Sequence, residues 1–223
     1  MEFPGNLRFT INEKLYLKDP ESSELGRKIL KYSIILIDQI GFESFTFKRL
    51  GQCIGSNESS VYRYFENKHK LLLYLSSWYW SWIEYRMLFS IQNIADPLQK
   101  LHRVIEVVAA EVKDDETTAY IDEAILNRII ISEYSKTFLT KEVDKENKDG
   151  FFLVYKRINL LLADIISEVK PDYPYSKTLA SSIVVGTINQ HFFKQHFKAI
   201  TDFSGHDGEV ASFYIKTLDK ILL

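Results

Sequence analysis

Between Thr46 and Phe65 the chain reads TFKRLGQCIGSNESSVYRYF, a stretch rich in hydroxyl, tyrosine and basic side chains at close spacing. Two short helices joined by a tight glycine-bearing turn form a helix-turn-helix, whose second helix can enter a DNA major groove. That second helix displays Glu58, Ser59, Ser60, Tyr62, Arg63 and Tyr64. Small hydroxyls near a helix start let the backbone approach base edges and phosphates. A tyrosine joins an apolar body, able to touch a thymine methyl, to a hydroxyl that reaches a phosphate. Lys68 opens the following helix, so its ammonium and that helix's positive end would address one phosphate. Glu58 reads as a solvated first-turn acid suited to the helix dipole. Across residues 46–70 five cations (Lys48, Arg49, Arg63, Lys68, Lys70) face two acids (Glu58, Glu66), although the whole chain carries a net charge of −2. A local basic patch on a mildly acidic protein fits a site-specific contact better than non-specific coating of nucleic acid.

Three helix starts position these groups. Thr46, Asn57 and Asn67 each precede a helical segment, expected over 47–54, 58–65 and 68–91, and each can accept from a free first-turn N–H. Gly51 lies four residues before Gly55 on the side facing the second helix, where a larger side chain would force the pair apart. Gly55 supplies the left-handed backbone of the turn. Phe47, Leu50, Ile54, Val61 and Phe65 then make the small core. Upstream, a helix is expected over 24–40, capped by Ser22 or Ser23 and closed by Gly41, with Leu25, Ile29, Tyr32, Leu36 and Ile40 on its inner face. Residues 1–23 read as an arm, partly extended or draped on the body.

Leu25 to Leu72 resembles the DNA-binding domain of the TetR/AcrR family. The resemblance rests on Gly41-Phe42, Thr46, Leu50-Gly51, Gly55, Ser60-Val61-Tyr62-Arg63-Tyr64-Phe65, Asn67-Lys68 and Leu71-Leu72. Gly51 and Ser56 depart from it, standing where alanine and an apolar residue are usual. The resemblance implies a sequence-specific transcriptional regulator, a repressor released from its operator by a small-molecule effector. It implies that Thr46 holds a phosphate, that Ser59, Ser60 and Tyr62 meet bases or backbone, and that Tyr64 and Lys68 clamp phosphates. With Lys48, Asn57 and Arg63 these make up the expected DNA-binding set. Tyr62 could equally serve as half-buried packing.

The rest of the chain is expected to be all-α, a helical ligand-binding and dimerisation domain over 73–223 beside the DNA-binding domain over 24–72. Helices are expected over 97–113, 117–138, 147–169, 176–199 and 207–222, with breaks at 113–116, 171–174 and 204–208. Scarce glycine (9) and proline (5) favour long helices, and 46% hydrophobic residues allow a sizeable core. Two heads about one turn of DNA apart read a pseudo-palindrome, so a homodimer on a double-stranded operator is expected. Leu179, Ile183, Gly186, Gln190 and Phe193, with Val210, Phe213, Ile215, Leu218, Ile221 and Leu222, are the candidate interface, or else an intramolecular core. Trp78, Trp82, Tyr85, Asn127 and Tyr155 are candidates for contact with a small apolar or aromatic effector, although an aromatic stripe of this spacing also reads as core.

No cofactor or metal is expected: His191 and His196 lie five apart, and the single Cys53 forms no metal pair. Neither a Gly-rich phosphate loop nor a G-x-S-x-G appears, so an all-helical enzyme is a remote reading. A helix-turn-helix acting through protein contacts is the alternative within the same fold. The opening residues lack a signal-peptide pattern and the apolar runs are short, so a cytoplasmic chain with no membrane contact is expected.

Overall fold

Short polar side chains set the helix starts. Ser23 accepts from the Gly26 amide at 3.1 Å, Thr46 from Arg49 at 3.2 Å, Asn57 from Ser60 at 2.9 Å and Asn67 from Lys70 at 2.9 Å. Each bond satisfies a donor that the first helical turn leaves unpaired. The computed structural model describes residues 8–112 and 119–223; the break expected at 113–116 and the first seven residues of the arm lie outside them. Among the described residues the regular structure is helical: α1 (Glu24–Ser44), α2 (Phe47–Cys53), α3 (Glu58–Tyr62), α4 (Lys68–Ser90), α5 (Pro97–Val108), α6 (Glu123–Ser132), α7 (Tyr134–Phe138), α8 (Val143–Lys148), α9 (Leu153–Val169), α10 (Ser176–His196) and α11 (Glu209–Leu222). None of these helices is long and apolar enough to cross a membrane.

The chain packs as two units, one from the described residues of Met1–Tyr79 and Val112–Phe152, the other from Trp80–Glu111 and Leu153–Leu223. This division differs from the boundary expected after residue 72. In the first unit α6 packs on α1, held by Arg128, whose guanidinium donates to both carboxylate oxygens of Asp38 at 3.0 and 2.8 Å. The helix expected over 117–138 breaks at Glu133, where the backbone turns (φ −108°, ψ 15°). Its side chain accepts from the Phe42 amide at 3.1 Å. That amide is exposed to pairing because Gly41 leaves the helical region inside α1 at φ 74°. The positive φ of Gly150 accompanies the break between α8 and α9, within the helix expected over 147–169.

The arm is folded. Ile11 and Leu15 are buried, and two 3₁₀ turns, Glu13–Leu15 and Pro20–Ser22, shape it. The second rests directly on Gly26, where any side chain would strike the Pro20 backbone. This contact turns α1 so that Gly26, Ile29, Leu30, Ser33, Ile34 and Ile37 are buried, while Leu25, Tyr32, Leu36 and Ile40 flank that face. The run Ile34–Ile37 blurs the helical period, so the buried face was rotated from the expected one.

In the second unit α9 packs on α5 and α10, and α11 on α5 and α10. Leu101, Val104, Ile105, Ile158, Leu162, Ile166, Ile183 and Val184 are fully enclosed. Gly186, expected to permit close approach of a second copy, instead seats the Tyr214 hydroxyl of α11, which leaves no room for a Cβ.

Candidate nucleic-acid interface

Phe47, Leu50, Val61 and Phe65 are buried and fix α2 against α3, whereas Ile54 is only partly covered. A Cβ on Gly51 would sit 3.0 Å from the Ser56 carbonyl oxygen and 3.1 Å from the Glu58 nitrogen, so the absent side chain sets how closely α3 follows the turn. Gly55 occupies the left-handed region at φ 67°. Both glycine roles read from the sequence are therefore met.

The outward face of α3 carries the expected chemistry. Thr46, Lys48, Asn57, Ser59, Tyr62 and Arg63 are exposed, and Ser60 is half-buried. Asn57 does more than cap. Its Oδ1 also accepts from the Ser59 hydroxyl at 2.8 Å and the Ser60 hydroxyl at 2.7 Å, so one side-chain oxygen orients both serines. Tyr62 stands edge-on to Phe47, ring centroids 4.9 Å apart, yet keeps 47% of its surface open. Packing thus aims the ring and leaves its far side available, so the two readings of Tyr62 are compatible.

Tyr64 and Lys68 stand apart from this set. Tyr64 is 3% exposed and its hydroxyl lies 2.8 Å from the Ser23 hydroxyl, which joins α3 to the start of α1. Lys68 spends its three donors on the carbonyls of Phe42, Glu43 and Phe45 at 2.9, 3.0 and 3.3 Å. Those carbonyls belong to the turn released by the Gly41 kink. Neither side chain offers a phosphate the free group that was expected of it. Arg49, which stays exposed, gives one donor to the Ser44 carbonyl at 3.0 Å, and Lys70 lies 4.0 Å from the Phe151 ring centroid. A contact missed from sequence completes this end of the head: the Leu17 amide donates to the Tyr64 carbonyl at 2.7 Å. Its signal, the apolar Ile11 and Leu15 four apart, was present in a segment too short and polar to read.

The residues expected around an effector divide between the units. Trp78 and Asn127 belong to the first, where Trp78 meets Phe9 edge-on at 5.3 Å and Asn127 donates to the Tyr79 hydroxyl at 2.8 Å. Trp82, Tyr85 and Tyr155 belong to the second. There Trp82 lies under Arg86 at 4.6 Å, Tyr85 stacks on Phe89 and Tyr155 meets Trp80 at 5.1 Å. Trp78 and Trp82 are fully enclosed. None of the five lines the cavity of about 350 Å³ between the arm and α4, which is walled by Arg8, Glu13, Tyr16, Asp19, Glu21 and Tyr74 among others. Glu21 is buried there, its carboxyl pushed up by loss of solvent and bonded by the Tyr74 hydroxyl at 3.2 Å.

Residues 29–75 match the sequence profile of the bacterial regulatory proteins of the tetR family. No curated protein matches the sequence. By structure, the chain is similar to AibR in complex with isovaleryl coenzyme A and operator DNA (TM-score 0.59, 17% identity, 86% of this chain and 97% of that one). It is also similar to a TetR-family regulator from Agrobacterium tumefaciens (TM-score 0.61, 17% identity, 92% and 100%). A third neighbour is the ketosteroid regulator KstR2 of Mycobacterium tuberculosis (TM-score 0.56, 14% identity, 90% and 94%). At these identities the likeness establishes the fold.

Proposed function

Because residues 29–75 match the profile of the tetR family of bacterial regulatory proteins, we infer that the chain is a dimeric transcriptional repressor that reads a pseudo-palindromic operator with α3 and leaves it on binding a small effector. The observation that carries this reading is the division of α3 into two faces. Val61 is sealed against α2, while Ser59, Tyr62 and Arg63 stand exposed and the serine hydroxyls are pre-set by Asn57. A groove-reading helix needs such a face: held rigidly from behind, and polar, aromatic and cationic in front. The operator-bound neighbour AibR shares the fold.

Thr46, at the start of α2, and Lys48 are assigned to phosphates, Ser59, Ser60 and Tyr62 to bases or backbone, and Arg63 to either. The effector is a small molecule with an apolar or aromatic body; the candidates to meet it are the enclosed Trp78 with Asn127 in the first unit, or the enclosed Trp82 with the half-buried Tyr85 and Tyr155 in the second. Its binding would shift the protein toward a state in which two heads no longer match the half-site spacing.

Selection from a random duplex library with the full-length protein tests the reading directly. Enrichment of an inverted repeat is expected, with binding that weakens steeply as salt rises. On that duplex Tyr62→Ala should cost about 1–3 kcal/mol for each half-site while the melting temperature changes little. Absence of any enriched sequence would refute the repressor reading.

A further inference from the structure

Two of the phosphate contacts anticipated for the head are spent inside the protein, and a cation from another element stands beside one of them. The Lys18 ammonium lies 5.2 Å from the centroid of the Tyr64 ring, at the end of the recognition segment where that tyrosine was expected to meet a phosphate. Lys18 is exposed, as is Leu17 before it, whose amide is bonded to the Tyr64 carbonyl. The position is firm on both sides. Upstream, Leu15 is buried, Asn12 donates to the Asp149 carbonyl at 2.9 Å and Lys14 pairs with the Asp149 carboxylate at 2.7 Å. Downstream, Asp19 caps the Pro20–Ser22 turn, which rests on Gly26.

Asp19, the acid next to it in sequence, is already paired with Arg8. Within the head Lys68 is engaged by three carbonyls and Lys70, half-buried, by the Phe151 ring, whereas Lys48, Arg49, Arg63 and Lys18 are exposed. The arm thus restores a positive charge at the place where burial of Tyr64 removes a donor. A phosphate needs only such a point charge held in register, and a lysine on a braced segment supplies it.

We propose that the arm is a second DNA-contacting element, in which Lys18 binds a backbone phosphate flanking the bases read by α3. This rests on the repressor reading above. Because the contact is to phosphate, it adds affinity and fixes register without reading sequence.

The test uses the full-length protein and the duplex enriched by the wild type, with affinity measured across a salt series. Lys18→Ala should weaken binding and lower the slope of log affinity against log salt by about 0.9 for each bound arm. The weakening should be alike on the selected duplex and on an unrelated one. Lys18→Arg should keep the wild-type slope, and Lys156→Ala, an equal charge change on an exposed face of α9, should leave it unaltered. A wild-type slope for Lys18→Ala, on a duplex that Tyr62→Ala binds more weakly than the wild type, would overturn the arm contact and leave the repressor reading standing. An equal loss in Lys156→Ala would reduce the effect to bulk charge and overturn it as well. Failure of the wild type to select any duplex would remove both together.

Discussion

Single atoms decide the geometry of the reading head. The hydrogen of Gly51 is the clearest case, since a Cβ there meets backbone oxygen and nitrogen rather than a side chain that could swing aside. Gly51→Val should therefore destabilise the protein by about 1–3 kcal/mol, with Gly51→Ala costing less, as read by chemical denaturation. Unchanged stability in the valine variant would show that α2 and α3 can part without cost. Asn57 carries a comparable weight through one oxygen, which accepts from the Ser60 amide and from two hydroxyls. Asn57→Ala should lose about 0.5–2 kcal/mol of stability and also blur base preference, because Ser59 and Ser60 become free to rotate. Asn57→Asp keeps the acceptor. It should hold stability near wild type yet weaken DNA binding by placing a negative charge near the phosphates. Melting curves and binding isotherms on the same two variants separate the cap from the contact.

At the scale of elements, legibility followed local chemistry. The caps at Thr46, Asn57 and Asn67 and the hinges at Gly51 and Gly55 act within four residues, so α2, α3 and the start of α4 were readable to within a few positions. What escaped depends on contacts distant in sequence. The break at Glu133 answers an amide 91 residues away. Burial of Tyr64 and diversion of Lys68 answer Ser23 and the Gly41 kink, neither of which any spacing in the α3 segment announces. The interior histidine of α10 belongs to the same class. His191 is enclosed, with Nε2 3.2 Å from the Ala109 carbonyl at the end of α5. Burial disfavours its imidazolium and lowers its pKa below the usual 6.5; Glu111 opposes that shift and Lys194 reinforces it. The unfolded chain therefore takes up the proton first as pH falls. The stability associated with His191 is complete above about 6.5 and declines below it, at up to about 1.4 kcal/mol per pH unit. Urea unfolding followed from pH 7.5 to 5.5 should show this decline in the wild type and a flatter profile in His191→Gln. Equal slopes in the two proteins would mean that the histidine is protonated as easily folded as unfolded.

For the whole molecule the governing quantity is the number of heads on one duplex. A five-residue recognition helix with few exposed side chains makes too small a contact to select one site among many, so affinity must come from linking two heads. The surface left over by folding indicates where. Val210, Ala211, Leu218 and Leu222 of α11 are consumed in the protomer, yet Phe213 and Ile221 remain 46% and 37% exposed, and Phe197 at the end of α10 is exposed as well. Apolar side chains grouped on the last two helices, in a protein inferred above to pair on its operator, are the surface a second copy would cover. Because these side chains contribute little to the protomer core, charging them should break the pair without unfolding the chain. The double variant Phe213→Glu, Ile221→Glu should sediment as a monomer with an unchanged helical spectrum. Its affinity for the inverted repeat should fall about a hundredfold or more, while its weak binding to a single half-site persists. A variant that remains dimeric would place the interface elsewhere. One that becomes monomeric yet keeps full affinity would mean that a single head, with its arm, suffices to read DNA.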